Sequence, residues 1–94
     1  VIPTAFTPDS DGDNDTWEIL ELDNNYPNNS VKVYNRWGDL IFEHQSSLTE
    51  PYDSNRWNGT YKGQMMPVAS YYFIIELNND ALEQETGTVS IILN

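Results

Sequence analysis

Ser70-Tyr71-Tyr72-Phe73-Ile74-Ile75-Glu76-Leu77 decides the fold of this chain. Aromatic and β-branched residues crowd the run; they lose side-chain freedom in a helix and pack well on a pleated surface. The run is apolar on both faces for most of its length, which predicts a central strand covered on each side. Working outward, Thr86-Gly87-Thr88-Val89-Ser90-Ile91-Ile92-Leu93 reads as its C-terminal companion. Upstream, Ser30-Val31-Lys32-Val33-Tyr34-Asn35 alternates cleanly, with Val31 and Val33 on one face and Lys32 and Tyr34 on the other. Residues 39–43 form a further short strand, and 16–22 mixes β-formers with acids into another. Clusters of Asn, Asp, Gly and Pro at 23–29, 36–38, 53–59 and 78–80 separate these runs as turns. No stretch has helical periodicity. Short strands so punctuated predict an all-β domain, an antiparallel immunoglobulin-like β-sandwich of about seven strands.

The 94 residues suffice for a single domain spanning 1–94, and the N-terminal valine suggests a piece of a longer polypeptide. Fifteen acidic residues against four basic ones give a net charge of −11. That balance argues against nucleic acid and against anionic membrane surfaces, whose phosphates need Lys and Arg. It suits a divalent cation or a basic partner surface. No apolar run is long enough for membrane insertion. Cysteine is absent, so stability rests on packing or on a metal.

Asp9, Asp11, Asp13 and Asp15 stand at strict i, i+2 spacing around Gly12, between Phe6 and Trp17. Four carboxylates that close repel one another, and folding brings them closer still. Two readings relieve the repulsion. In the preferred one the loop wraps a calcium ion, which takes six to eight oxygen ligands, with Asp9, Asp11 and Asp15 as ligands. In the other the loop is a solvated turn whose Asp and Asn side chains cap local amides. The glycine falls one position early for an EF-hand and no helices flank the loop, so it is not one.

Trp17, Trp37 and Trp57 fall twenty residues apart, and Asn35-Arg36-Trp37-Gly38 echoes Asn55-Arg56-Trp57-Asn58-Gly59. The flanks share nothing, which excludes a true repeat. Two independent turns use one local solution: each glycine supplies a positive φ, and each Trp can fold back over its turn.

Together the motifs resemble a known family. They are Phe6-Thr7-Pro8, Asp11-Gly12, Asn14-Asp15, Tyr26-Pro27-Asn28, Val33-Tyr34-Asn35-Arg36-Trp37-Gly38, Trp57-Asn58-Gly59, Tyr61-Lys62-Gly63, Pro67-Val68 and Tyr71-Tyr72-Phe73-Ile74-Ile75. In order and spacing they are similar to the gliding-motility-associated C-terminal domain, also called the type B sorting domain of the type IX secretion system of Bacteroidota. The resemblance covers essentially the whole chain. The chain departs from it at Asp9-Ser10 and Ala69, where the family has Asn-Gly and a glycine, and at Asn58, where it has Asp.

The resemblance implies a non-catalytic C-terminal sorting domain of a longer secreted protein, read by outer-membrane secretion machinery, with the parent cargo attached in cis. The parent would reach the medium or the cell surface through the periplasm and outer membrane. The domain itself is expected to be monomeric. Asn35, Arg36, Trp37, Gly38, Trp57, Gly59 and Tyr71 are the family landmarks carried here, expected to serve mainly structural ends. Asp13 falls at a variable position of the family loop, which points to its backbone carbonyl as a ligand.

A second class stands beside this one, a calcium-stabilised adhesion or glycan-binding module. Its platform would come from Tyr26, Tyr34, Trp37, Tyr52, Trp57, Tyr61, Tyr71 and Tyr72. The plainer expectation is that Trp17, Trp37, Trp57 and Tyr71 serve the core or cover turns, because aromatics carry much of a small domain's burial. Arg36 is expected to stack on a ring or pair with a carboxylate. His44, the lone histidine, has no nucleophile or acid at a catalytic spacing and reads as a surface residue.

Overall fold

A computed structural model describes residues 2–8, 15–78 and 83–92. Among these residues seven strands form: β1 (Ala5–Phe6), β2 (Ser30–Tyr34), β3 (Leu40–Gln45), β4 (Thr60–Tyr61), β5 (Gln64–Met65), β6 (Ala69–Glu76) and β7 (Gln84–Ile91). Five make one sheet in the order β1-β7-β6-β2-β3, and β4 and β5 make a small hairpin. The all-β reading holds, and β6 is the central strand. Every pairing is antiparallel except β1 with β7, which is parallel and joins only Ala5 to Ser90 and Phe6 to Ile91.

Alternation along the strands decides what faces the core. Tyr71, Phe73 and Ile75 of β6 point inward beside Val31 and Val33 of β2 and Val89 and Ile91 of β7, all buried. Gly87 of β7 lies opposite Phe73. A Cβ there would stand 3.0 Å from the Phe73 ring, so the absent side chain makes room for an aromatic one.

Two expectations change. Residues 70–77 are covered on one face only: Tyr72 is 52% exposed, and Ile74 and Glu76 are half-buried. Lys32 spans this outer face, donating to Glu76 Oε1 at 3.0 Å with Glu43 at 3.9 Å. Residues 16–22, expected as a strand, form none: 16–21 are irregular and Leu22 opens a helical turn. Their alternation does turn Trp17 and Ile19 inward, but no strand lies beside them among the described residues. The segment ends at Glu21, held at φ +66°, and a single helical turn, α1 (Leu22–Asn25), follows.

Aromatic side chains with polar handles hold the second layer instead of a ladder. Trp17 N donates to Trp57 O at 2.9 Å, and its indole donates to Pro3 O at 2.8 Å. The Tyr52 hydroxyl donates to Trp17 O at 2.7 Å and accepts from Trp57 N at 3.3 Å. Buried aromatics of this kind need a partner for the polar end, and here the partner is unpaired backbone. The Asp23 carboxylate completes the layer by accepting from Tyr52 N at 3.0 Å and Asp53 N at 2.8 Å, capping a short 3-10 turn at Tyr52–Ser54. Trp57 sits at the centre, with ring centroids 5.4 Å from Phe6, 5.5 Å from Tyr71 and 6.3 Å from Phe42.

Candidate recognition site

The β2–β3 hairpin closes through Asn35-Arg36-Trp37-Gly38-Asp39, and the chemistry of Asn35 sets its shape. Its side-chain Oδ1 accepts from Trp37 N at 3.0 Å and Asp39 N at 2.9 Å, while its Nδ2 donates to Asp39 Oδ2 at 3.2 Å. Backbone bonds from Asn35 N to Asp39 O and from Gly38 N to Asn35 O, each 3.0 Å, close the loop. An Asn folded onto its own following amides is a strong turn former. Gly38 takes φ +86°, a region that L side chains rarely adopt.

The consequence is that Arg36 and Trp37 are pushed outward together. Trp37 is 72% exposed, and the Arg36 guanidinium lies 4.3 Å from its ring centroid. Trp37 therefore does not cover its turn, contrary to expectation, whereas the stacking expected of Arg36 is present. Beside the turn runs a shallow groove of about 240 Å³, walled by Met66, Pro67, Val68 and Ser70 and floored by Tyr71. The Tyr71 hydroxyl donates to Pro67 O at 2.6 Å, which pins the groove's wall to β6. Burial pushes the Tyr71 phenol above its ordinary pKa, so it stays a neutral donor. Val68 and Met65 are exposed nearby in the chain. Spacing drew no attention to Met65 and Met66; an apolar pair in a polar hairpin was the available signal.

The other landmarks lie inside. Trp57 is 1% exposed and Tyr71 is 3% exposed. Gly59 takes φ +83°, and a Cβ there would stand 3.2 Å from Pro8 Cγ and 3.3 Å from both Ile91 Cδ1 and Met65 Sδ. Its carbonyl accepts from Met66 N at 2.8 Å, which extends the β4–β5 pairing by one residue. Tyr52, Trp57 and Tyr71 are thus buried among the rings that a glycan platform would need exposed.

Asp9, Asp11 and Asp13 lie outside the described residues, and Asp15 is half-buried just before Trp17. Among the described residues no three His, Cys, Asp or Glu side chains gather to hold a metal. The His44 ring is engaged with Glu50 O at 2.9 Å. Arg56, the counterpart of Arg36, is tied to Asp53 and, at 3.1 Å, to Glu18, and these carboxylates raise its pKa further.

The family model described as the CHU_C type IX secretion signal domain matches residues 1–91. No curated protein matches the chain.

Proposed function

The chain belongs to the type IX secretion signal domain family, and from that premise we propose that the Arg36–Trp37 turn and its groove form the face the secretion machinery reads. The domain is a sorting signal: it is attached to a cargo protein, is recognised by the secretion apparatus, and marks the parent for release or for the cell surface. The observation that supports this face is the pairing of an exposed Trp with a stacked Arg on a rigid turn. A large ring left in water forgoes burial free energy that only a partner can supply. Trp and Arg dominate binding energetics at protein interfaces, and a preformed turn loses little entropy on docking.

The test fuses the domain to an unrelated periplasmic reporter in a host with the secretion system. Export is expected for the fusion and a loss of about tenfold or more for Trp37→Ala, with an unchanged melting temperature, as a hot-spot residue requires. Full export by a folded Trp37→Ala variant would sink the assignment of this face while leaving the sorting role intact.

We read the domain as non-catalytic and monomeric, travelling with its cargo through the periplasm and across the outer membrane. His44 is occupied by a backbone carbonyl, and Glu18 and Asp53 are engaged with Arg56, which leaves them poorly placed for acid–base work. We assign calcium to the loop carrying Asp9, Asp11, Asp13 and Asp15 as a structural ion. The spacing of the carboxylates and their mutual repulsion support it. Calorimetric titration with calcium checks it: heat and a raised melting temperature are expected, and neither appears if the loop is a solvated turn.

A further inference from the structure

We propose that the stretch of the β7 edge before Ser90, which no strand covers among the described residues, is a strand-addition site for an extended peptide with alternating apolar and basic residues. β7 runs from Gln84 to Ile91, and β6 pairs with all of it on one side. On the other side β1 pairs only with Ser90 and Ile91. Ser90 N donates to Thr4 O at 2.8 Å, so Ser90 presents its backbone groups to that outer side. Backbone direction alternates along a strand, and the β6–β7 register runs without a shift. Thr86 and Thr88 therefore present their N–H and C=O groups to the same side, where no strand pairs with them among the described residues. Open ladder groups of this kind template the addition of another strand.

What lies beneath this edge separates it from an ordinary sheet margin. A cavity of about 540 Å³ opens between the sheet and the second layer, lined by Ile19, Leu20 and Leu22 on one wall and Phe73, Ile75 and Leu77 on the other, with Ile2 and Thr4, which lead into β1, closing only its β1 end. Gly87, whose neighbour is the Phe73 ring, leaves the mouth of the cavity low. A strand laid along Thr86 and Thr88 would drop every second side chain into this apolar mouth. The remaining side chains would stand on the outer face. Two carboxylates, Glu21 and Glu85, lie at the rim, within a domain of net charge −11. The ladder supplies affinity, the cavity asks for apolar residues at alternate positions, and the rim asks for Lys or Arg. The short parallel contact with β1 already shows that this edge accepts backbone. It faces a different part of the molecule from the Arg36–Trp37 turn and does not rest on it.

The test titrates the isotope-labelled domain with acetyl-Lys-Val-Lys-Val-Lys-Val-amide and follows each backbone amide by NMR. Shifts at Thr86, Gly87 and Thr88 are expected, with hydrogen exchange at Thr86 and Thr88 slowed about tenfold or more as the ladder forms. Leu20→Ser removes part of the cavity wall at a residue that is 63% exposed, so the fold should tolerate it. Thr88→Pro removes one outward donor without touching the β6 ladder. Each should weaken the peptide about tenfold, whereas Trp37→Ala should leave it unchanged. The acidic counterpart with Glu for Lys should bind about tenfold more weakly at low salt. The proposal falls if the shifts lie elsewhere or are absent, if Leu20→Ser binds as well as the parent, or if both peptides bind alike. It also falls if exchange at Thr88 slows with protein concentration alone, which would place a second copy of the chain on this edge.

Discussion

Asn35-Arg36-Trp37-Gly38 and Asn55-Arg56-Trp57-Asn58-Gly59 carry nearly the same residues and meet opposite fates. In the first, Asn35 folds onto the amides that follow it, Arg36 stacks on Trp37, and the ring stands in water. In the second, Arg56 is held by Asp53 and Glu18, and Trp57 disappears among Phe6, Phe42 and Tyr71. Asn58 performs the local turn chemistry there, its Oδ1 accepting from Thr60 N at 3.2 Å. A motif thus specifies a turn and leaves burial to whatever packs against it. One copy stands in water and the other anchors the core.

The largest expected effect breaks this contrast most directly. Trp57→Ala should cost about 3–5 kcal/mol, as large buried aromatics do, which is most of the stability of a domain this size. Trp37→Ala should change stability by no more than about 0.5 kcal/mol, as at an exposed site. Denaturant midpoints measure both. Similar losses for the two would dissolve the distinction.

The glycines sharpen it. Gly59→Ala places a side chain at positive φ against Pro8, Ile91 and Met65 and should cost about 2 kcal/mol or more, adding contact strain to the left-handed penalty. Gly38→Ala meets nothing within 4 Å, so only the left-handed penalty of about 1 kcal/mol applies. Thermal melts of the pair read the difference.

Next comes the hydroxyl that ties the buried turn to the second layer. Tyr52→Phe leaves Trp17 O and Trp57 N without this partner and should cost about 1–2 kcal/mol. Burial pushes the Tyr52 phenol well above its ordinary pKa. The folded state therefore holds that proton more tightly than the unfolded one. Its contribution is complete below about pH 10, the unfolded value, and is lost as pH rises through the higher folded value. Denaturation at pH 8 and pH 11 should show a marked alkaline loss that shrinks in Tyr52→Phe.

The smallest effect concerns the two arginines. Arg56→Ala should cost about 0.5–1 kcal/mol and less at high salt, because its carboxylate partners are half or more exposed. Arg36→Ala should leave stability unchanged and act only on export. A double-denaturant series at low and high salt separates them.

Much of the architecture was legible from alternation. The inward set Val31–Val33 was plain because a half-buried strand must repeat every second residue, whereas the choice of Tyr71, Phe73 and Ile75 over Tyr72 and Ile74 was not, since both faces of that strand are apolar. The positive φ at Gly38 and Gly59 was legible as well, since the turns allow little else. The irregular backbone of 16–21 was not. Its alternation was real and turned Trp17 and Ile19 inward, yet a strand also needs a neighbour, and a neighbour is a non-local fact. The proposed recognition face was half legible. Asn35, Arg36, Trp37 and Tyr71 could be named as landmarks of the family the chain resembles, but not their separation into a turn in water and a floor beneath it.

The chain alone settles an acidic, cysteine-free, all-β domain, its strongest strands and turns, and the family to which its landmarks belong. The charge, the strands and the turns follow from composition, side-chain shape and local dihedral preference, all of which act within a few residues, and the family follows from the resemblance of the landmarks. Packing settled the rest: which Arg-Trp turn is buried, that β1 joins β7 in parallel over two residues, and that no other strand among the described residues flanks β7 on that side, beside an apolar cavity. These depend on segments distant in sequence meeting in space, and on how much surface each contact removes from water.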